Sequence, residues 1–215
     1  MKKRISILFI IVILFVFLPY STSFTYAFFD KTVRQNNINL AIGNWSSQVT
    51  YQATFESFIN TNTGIITQVV DDLSFELNNV VTGALTTDKK NGTTGGRITQ
   101  NGTITTTNYY RGYQSISFYV GMSSAGNTNG SYSFNVEISN NGTQWTSILN
   151  QSKPVATLTL YTINMSTLLK NGITLADNSV ATSTTNLKVR ISFISGNASG
   201  SRVFNIDDIV IVQQI

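Results

Sequence analysis

Residues 115–149 read SISFYVGMSSAGNTNGSYSFNVEISNNGTQWTSIL, and this stretch predicts the fold. Two segments in it alternate strictly between apolar and polar side chains, which is typical of half-buried β-strands. Asn141-Gly142 then favours a tight hairpin turn, and Trp145–Leu149 is predicted to return as the next strand. The stretch therefore predicts the middle of an antiparallel β-sandwich. The apolar members of the two alternating segments are Ile116, Phe118 and Val120, followed by Tyr132, Phe134, Val136 and Ile138.

Similar short strands separated by Asn-Gly turn signals are predicted across the rest of the chain from Ala53 onward. So many strands with so little helical pattern favour two packed antiparallel sheets, as in sandwiches and jelly rolls. One helical turn is expected at Ser166–Lys170, capped by Ser166 and ended at Asn171-Gly172. The further strands are predicted at Thr54–Ile59, Leu73–Leu77, Gly96–Thr99, Gly102–Thr106, Val155–Ile163, Leu187–Ser195 and Val203–Val212.

The N-terminus has the three-part form of a secretory signal peptide. Lys2, Lys3 and Arg4 precede an apolar run over Ile5–Leu18, and small residues at Thr25 and Ala27 suit cleavage. The run is short for a membrane span, although an uncleaved anchor is the alternative. We therefore expect export, with residues 1–27 as the signal, and cell-surface association is left open.

The net charge of +4 belongs mainly to this signal. Without residues 1–27, eleven basic residues face ten acidic ones, so the remaining charge is +1. A nearly neutral chain has little attraction for phosphate backbones, which disfavours nucleic acid as a partner.

The segment after the signal carries a first family resemblance. Phe28-Phe29-Asp30-Lys31 follows the apolar run, and Ile38–Trp45 reads as a short strand ending near a glycine. This arrangement resembles the N-termini of camelysin-like proteins and of biofilm-matrix fibre proteins, over about residues 1–45. An ordinary signal followed by an edge strand is the alternative. We expect residues 28–52 to form an N-terminal strand segment and residues 53–215 to form the sandwich.

A second resemblance covers about residues 53–215. In order and spacing, the chain is similar to the galactose-binding-like, carbohydrate-binding jelly-roll modules of secreted bacterial proteins. The residues that carry the similarity are Phe55-Glu56-Ser57, Asp88–Gly92, Arg97-Ile98, Ser117–Tyr119, Val136–Gly142, Trp145-Thr146 and Asn205–Ile209. The predicted fold class is thus all-β, an antiparallel two-sheet β-sandwich (jelly roll) preceded by a signal-peptide helix.

The composition excludes several classes of chemistry. The chain has neither cysteine nor histidine, so disulfides, His/Cys zinc sites and the usual nucleophile–base pairs of hydrolases cannot form. A glycosidase that uses two carboxylates remains open, but the acids are scattered along the sequence. We predict that the protein is not an enzyme.

Calcium is the one cofactor that we expect. Carboxylates and carbonyls are hard oxygen ligands, which suit this ion outside the cell. The resemblance implies a structural calcium between the first and last strands, held by Glu56 and by Asp207 or Asp208, with Asp88 as an addition. Strand-end capping, or pairing with arginines, is the alternative role for these acids.

Aromatic residues suggest a site for a sugar, because flat rings stack on the apolar faces of sugars while polar neighbours bind hydroxyls. Trp145 is expected to be packed rather than exposed. The candidate ligand-binding residues are Tyr109, Tyr110, Arg111, Tyr113, Tyr119, Asn135 and Glu137.

These patterns predict a secreted, non-catalytic binding module for extracellular or cell-surface glycans. The alternative is a structural surface or biofilm-matrix protein that self-associates through open strand edges. A membrane is expected as a partner only if the signal segment stays attached.

Overall fold

The structure is a computed structural model that describes residues 33–35, 38–40, 48–122, 132–152, 157–195 and 203–214. The predicted signal peptide lies outside these residues, as does most of the segment that resembles camelysin-like proteins. The chain divides into two compact units, Met1–Ser47 and Gln48–Ile215. In the first unit, strands β1 (Val33–Gln35) and β2 (Ile38–Leu40) pair antiparallel.

Strands make up most of the described part of the second unit. They are β3 (Gln48–Ala53), β4 (Ile66–Val70), β5 (Leu73–Gly83), β6 (Gly95–Thr106), β7 (Tyr113–Met122), β8 (Tyr132–Ser139), β9 (Thr146–Ser152), β10 (Thr159–Asn164), β11 (Ile173–Thr174), β12 (Val180–Ala181), β13 (Lys188–Ser195) and β14 (Val203–Gln214). One helix, α1 (Met165–Lys170), follows β10. Because β3 pairs with β14, the sandwich begins at Gln48 and not at Ala53 as expected.

The strands form two layers that share β6. One layer has the order β10-β7-β14, with β3 and the first half of β6 on the same side of β14. The other layer, named here the β13 layer, has the order β4-β5-β6-β13-β8-β9. All of these pairs are antiparallel, so the predicted two-sheet β-sandwich is confirmed.

The core lies between the two layers. Phe118 on β7 and Phe134 on β8 meet across it with ring centroids 5.8 Å apart. Phe193 on β13 and Phe204 on β14 meet in the same way at 5.0 Å. The alternating residues from Ile116 to Val120 and from Phe134 to Ile138 are fully buried on their apolar side, as predicted.

β6 forms one bent strand where two strands were predicted. Residues 96–99 pair with β14 in the first layer, and residues 102–105 pair with β13 in the second. β6 passes from the first layer to the second at Asn101-Gly102, where a turn was predicted. A side chain at Gly102 would collide with Ile98 and with the Asn78 carbonyl, so the missing Cβ lets three chain segments approach closely.

The strand predicted at Thr54–Ile59 is absent, and a turn occupies this segment. Phe55 has a φ of 61°, and the Phe58 N–H donates to the Phe55 carbonyl at 3.1 Å. Both rings are buried, although residues three apart in an extended strand point to opposite faces. The aromatic spacing therefore suits a turn.

The predicted helical turn is present as α1, but its cap differs. The Asn164 side chain accepts a hydrogen bond from the Thr167 N–H at 3.0 Å, so Asn164 caps the helix and Ser166 does not. The Ser166 hydroxyl instead donates to Asn164 Oδ1 at 2.8 Å. The helix ends at Asn171, as expected.

Candidate functional site

The outer surface of the β13 layer carries two rows of polar side chains. Strand register aligns them across the sheet, because the intervening residues point into the core. The first row consists of Glu76, Thr105, Arg190, Glu137 and Ser147, and the second consists of Asn78, Thr103, Ser192, Asn135 and Asn150.

Arg190 and Glu137 form a bidentate ion pair in the first row. Arg190 Nε lies 2.8 Å from Glu137 Oε2, and Arg190 Nη2 lies 3.0 Å from Glu137 Oε1. The Ser192 hydroxyl donates a further hydrogen bond of 2.8 Å to Glu137 Oε2. Paired planar groups of this kind are geometrically specific, so the Arg190 side chain is held in one orientation.

Two aromatic rings flank these rows, and each carries a cation over its face. The Arg190 guanidinium carbon lies 4.2 Å from the centroid of the Trp145 ring. Lys188 Nζ lies 4.9 Å from the centroid of the Tyr109 ring. Both are cation–π contacts, and Lys188 and Arg190 project from the same side of β13.

An open cleft of about 160 Å³ lies between these groups. Its walls combine one indole ring, several threonine hydroxyls, one carboxylate and two cations. The residues that line it are Glu76, Thr103, Thr105, Thr106, Thr107, Gly142, Trp145, Lys188 and Arg190. The cleft can therefore offer hydrogen-bond donors and acceptors beside an apolar surface.

The structure separates the predicted ligand-binding residues. Asn135 and Glu137 lie on the polar face, and Tyr109 stands beside it. Tyr119 lies on β7, in the opposite layer, and its side chain points away from the core. Arg111 is exposed in the loop before β7.

The prediction that Tyr110 and Tyr113 bind a ligand does not fit their burial. Tyr113 is 1% exposed, and its hydroxyl donates to the Leu187 carbonyl at 3.1 Å. Tyr110 packs its ring against Tyr51 and Tyr113 at centroid distances of 5.2 and 6.0 Å. Burial raises the pKa of both hydroxyls above the usual tyrosine value, most strongly at Tyr113. These two rings cover the end of the core.

Sequence reasoning missed most of the cleft. Trp145 was expected to be packed, but it is partly exposed and lines the cleft. The outward direction of Lys188 and Arg190 could have been predicted, because they alternate with apolar residues on β13 that are buried. Nothing in the sequence placed them opposite Glu137, since strand register determines that pairing.

Three of the four predicted calcium ligands lie near one loop, residues 91–93. Asp207 is fully buried and accepts hydrogen bonds from the N–H groups of Asn91, at 2.8 Å, and Asp208, at 3.0 Å. Asn91 Nδ2 donates to Asp208 Oδ2 at 2.7 Å. The Glu56 carboxylate accepts from the backbone and the hydroxyl of Thr93, and these bonds lower its pKa.

Asp88 makes different contacts. Its Oδ2 accepts from the Leu85 N–H at 3.0 Å, and its Oδ1 lies 3.8 Å from Arg97 Nε. In the part of the chain that the structure describes, no three acidic side chains are placed so that they could hold a metal ion. A calcium ion at this loop would therefore have at most two carboxylates, with other oxygens completing its shell.

Within the same described residues, no helix is long and apolar enough to cross a membrane.

No protein-family model and no curated protein sequence matches the chain. Similar solved structures include a family 61 carbohydrate-binding module in complex with β-1,4-galactotriose (9% identity, TM-score 0.42, covering 75% of this chain and 94% of that chain). Another is the K3 adhesin domain of Lys-gingipain from Porphyromonas gingivalis (13% identity, TM-score 0.44, covering 77% of this chain and 99% of that chain). A third is the family 11 carbohydrate-binding module from Clostridium thermocellum in complex with a β-1,3-1,4-mixed-linked tetrasaccharide (13% identity, TM-score 0.41, covering 74% of this chain and 94% of that chain). At these scores the likeness is distant, and it assigns neither a ligand nor a site to this chain.

Proposed function

We propose that this protein binds extracellular or cell-surface carbohydrate, without catalysis, through the cleft on the β13 layer. The observation that carries the proposal is the composition of the cleft wall. The Trp145 ring lies against the Arg190 guanidinium and shares the cleft wall with several threonine hydroxyls. Sugars need this combination, because their ring faces are apolar and their edges carry hydroxyl groups.

Each part of the wall has a counterpart in a sugar. The exposed part of the indole can stack on the C–H face of a pyranose ring. Thr103 and Thr105 can donate and accept hydrogen bonds, Glu76 can accept them, and Lys188 can donate them. The cleft is not enclosed, so it can admit part of a longer sugar chain.

The carboxylates near the cleft support the non-catalytic part of the proposal. Glycoside hydrolysis needs one carboxyl group as an acid and a second as a base or nucleophile. Both oxygens of Glu137 are already hydrogen-bonded by Arg190, and one of them also by Ser192. Among the described residues that line the cleft, Glu76 is then the single carboxylate, which is insufficient for that chemistry.

The proposal also includes export and a structural calcium ion. Export is supported by the basic, apolar and small-residue pattern of residues 1–27. Calcium is supported by the like charges near Asp207, whose pKa is raised to about 7 by burial and by the charges of Asp208 and Glu56. A divalent cation would offset that repulsion.

A glycan array with the purified protein tests the proposal. The array should include β-1,4-galactotriose and mixed-linked β-glucan oligosaccharides, which are bound by the two modules named above. We expect the protein to be retained by at least one glycan, and Trp145→Ala to lose most of that affinity. Tyr119→Ala is the matched control, because it removes an aromatic ring from the other layer. Retention on no glycan would contradict the proposal, as would equal losses in the two variants.

Size-exclusion chromatography of the same sample addresses the matrix alternative. A persistent monomer is expected for a binding module. Concentration-dependent growth in size would instead favour assembly through strand edges.

A further inference from the structure

The charged side chains at the cleft cancel one another. Glu76, Lys188 and Arg190 line it, and Glu137 lies against Arg190. These four groups give two positive and two negative charges, so the wall carries no net charge. A charged ligand would gain little long-range attraction from such a surface.

The Arg190 guanidinium could attract an anion, but it is already paired with the Glu137 carboxylate. Both oxygens of the Glu137 carboxylate accept its N–H groups, at 2.8 and 3.0 Å. One face of its guanidinium covers the Trp145 ring at 4.2 Å. An anionic sugar would have to displace Glu137 or accept its repulsion, and both changes cost free energy.

The same contacts make Arg190 a well-oriented donor. The bonds to Glu137 use Nε and one N–H of Nη2, so the remaining N–H groups keep a fixed direction. The contact with Trp145 restrains the plane of the guanidinium. A sugar hydroxyl could accept from these groups without a cost of ordering the side chain.

We infer that the cleft selects uncharged oligosaccharides, and that Glu137 is a positioning residue that both orients Arg190 and neutralises its charge. This inference rests on the proposed function, since it names the class of carbohydrate for the same site. Glu137 makes its contacts with Arg190 and Ser192, so its effect on a ligand is transmitted through Arg190.

The test uses a panel of polysaccharides with the purified full chain. The uncharged members are galactan, xylan and mixed-linked β-glucan, and the anionic members are polygalacturonate, hyaluronate and heparin. Binding is measured at about 0.05 M and about 0.5 M sodium chloride, which span strong and weak ranges of electrostatic interaction. We expect the wild-type protein to bind only uncharged members, with the same affinity at both salt concentrations.

Glu137→Gln is the informative variant. Gln keeps the shape but loses the charge and one of the two acceptors, so Arg190 gains a free charge and a looser position. We expect affinity for the uncharged glycan to fall about tenfold, the size expected for the loss of one charged hydrogen bond. We also expect new, salt-sensitive binding to the anionic members, which a merely destabilised protein would not show. Asp72→Asn removes an equal charge from an exposed residue that does not line the cleft and should behave as the wild type.

The outcomes separate the two proposals. Salt-sensitive binding of the wild-type protein to an anionic member would overturn this inference and leave carbohydrate binding intact. Binding to no member would contradict the proposed function itself. In that case proton–nitrogen correlation spectra still test Glu137, because the Arg190 Nε–H signal should be protected in the wild type and lost in Glu137→Gln. Equal signals in the two proteins would overturn the positioning role.

Discussion

The carboxylate of Asp207 accepts a hydrogen bond of 2.8 Å from the backbone N–H of Asn91, which lies 116 residues earlier in the chain. This contact joins β14 to the loop between β5 and β6. Asp207 is fully buried, and burial is the main cause that raises its pKa to about 7. Hydrogen bonds from the N–H groups of Asn91 and Asp208 oppose that rise.

The stability of the protein should therefore depend on pH near neutrality. In the unfolded chain, Asp207 has an ordinary pKa of 3.8. Between that value and about 7, only the folded state binds the proton, so stability falls as the pH rises through this range and then levels off. The slope should be at most about 1.4 kcal/mol per pH unit. Urea unfolding at about pH 5 and about pH 8 measures it, and greater stability at pH 5 is expected.

Asp207→Asn provides the control for this pH dependence. Asn carries no charge, so the fall in stability between the two pH values should disappear in the variant. An unchanged fall in stability would assign the pH dependence to another group.

Calcium should raise the melting temperature of the wild-type protein above its value in chelator. An ion that binds only the folded state stabilises it by about 2.7 kcal/mol at a hundredfold excess over its dissociation constant. Glu56→Gln and Asp208→Asn should each remove most of the shift. Asp177→Asn should keep it, because Asp177 accepts hydrogen bonds from Asn140 and Ser179 instead. Identical melting curves with calcium and with chelator would contradict the calcium site. These acids would then act only as hydrogen-bond acceptors that cap the loop and the strand end.

Gly102→Ala should destabilise the fold by about 1–3 kcal/mol, the usual cost of forcing extra atoms into a packed site. The new methyl group would meet the Ile98 side chain and would lie 2.9 Å from the Asn78 carbonyl oxygen. Gly64→Ala is the matched control, because the Asn62 side chain is the nearest group that its methyl would meet, at 3.2 Å. Urea midpoints that shift equally would contradict the role of Gly102 at the bend of β6.

Tyr113→Phe should cost about 1 kcal/mol, since it removes one buried hydrogen bond to the Leu187 carbonyl. Glycan binding should be unchanged, because the ring lies in the core. Thermal unfolding and the glycan array measure the two effects separately. A loss of binding without a loss of stability would return Tyr113 to the ligand site.

Alternation along single strands predicted the fold correctly, because the two-residue period identifies a buried face without knowledge of its neighbours. Ile116, Phe118 and Phe134 were placed in the core for this reason, and all three are fully buried. The bend of β6 was less predictable. Asn101-Gly102 resembles a hairpin turn, and only the change of partner from β14 to β13 shows that it joins two layers.

The candidate site was predictable only in part. Asn135 and Glu137 were correctly placed on a polar strand face, but their partners depend on register between strands distant in sequence. Trp145 shows this limit, because its ring lies against Arg190 on β13, a strand that is distant in sequence. Tyr109 and Tyr110 precede β7, and Tyr113 is its first residue. The two-residue alternation of a strand does not extend to such positions, so it does not predict which of these rings are buried.

β14 pairs with β3, β6 and β7, all of which precede it in the chain. Until β14 is present, each of these strands has an open edge along the side that it will fill. The first layer therefore cannot close before β14 has been made, and long-range pairing of this kind is slow even afterwards. For a chain exported as proposed here, the late position of β14 delays the pairing of β3, β6 and β7 with it. The first layer would then close on the far side of the membrane, after β14 has emerged.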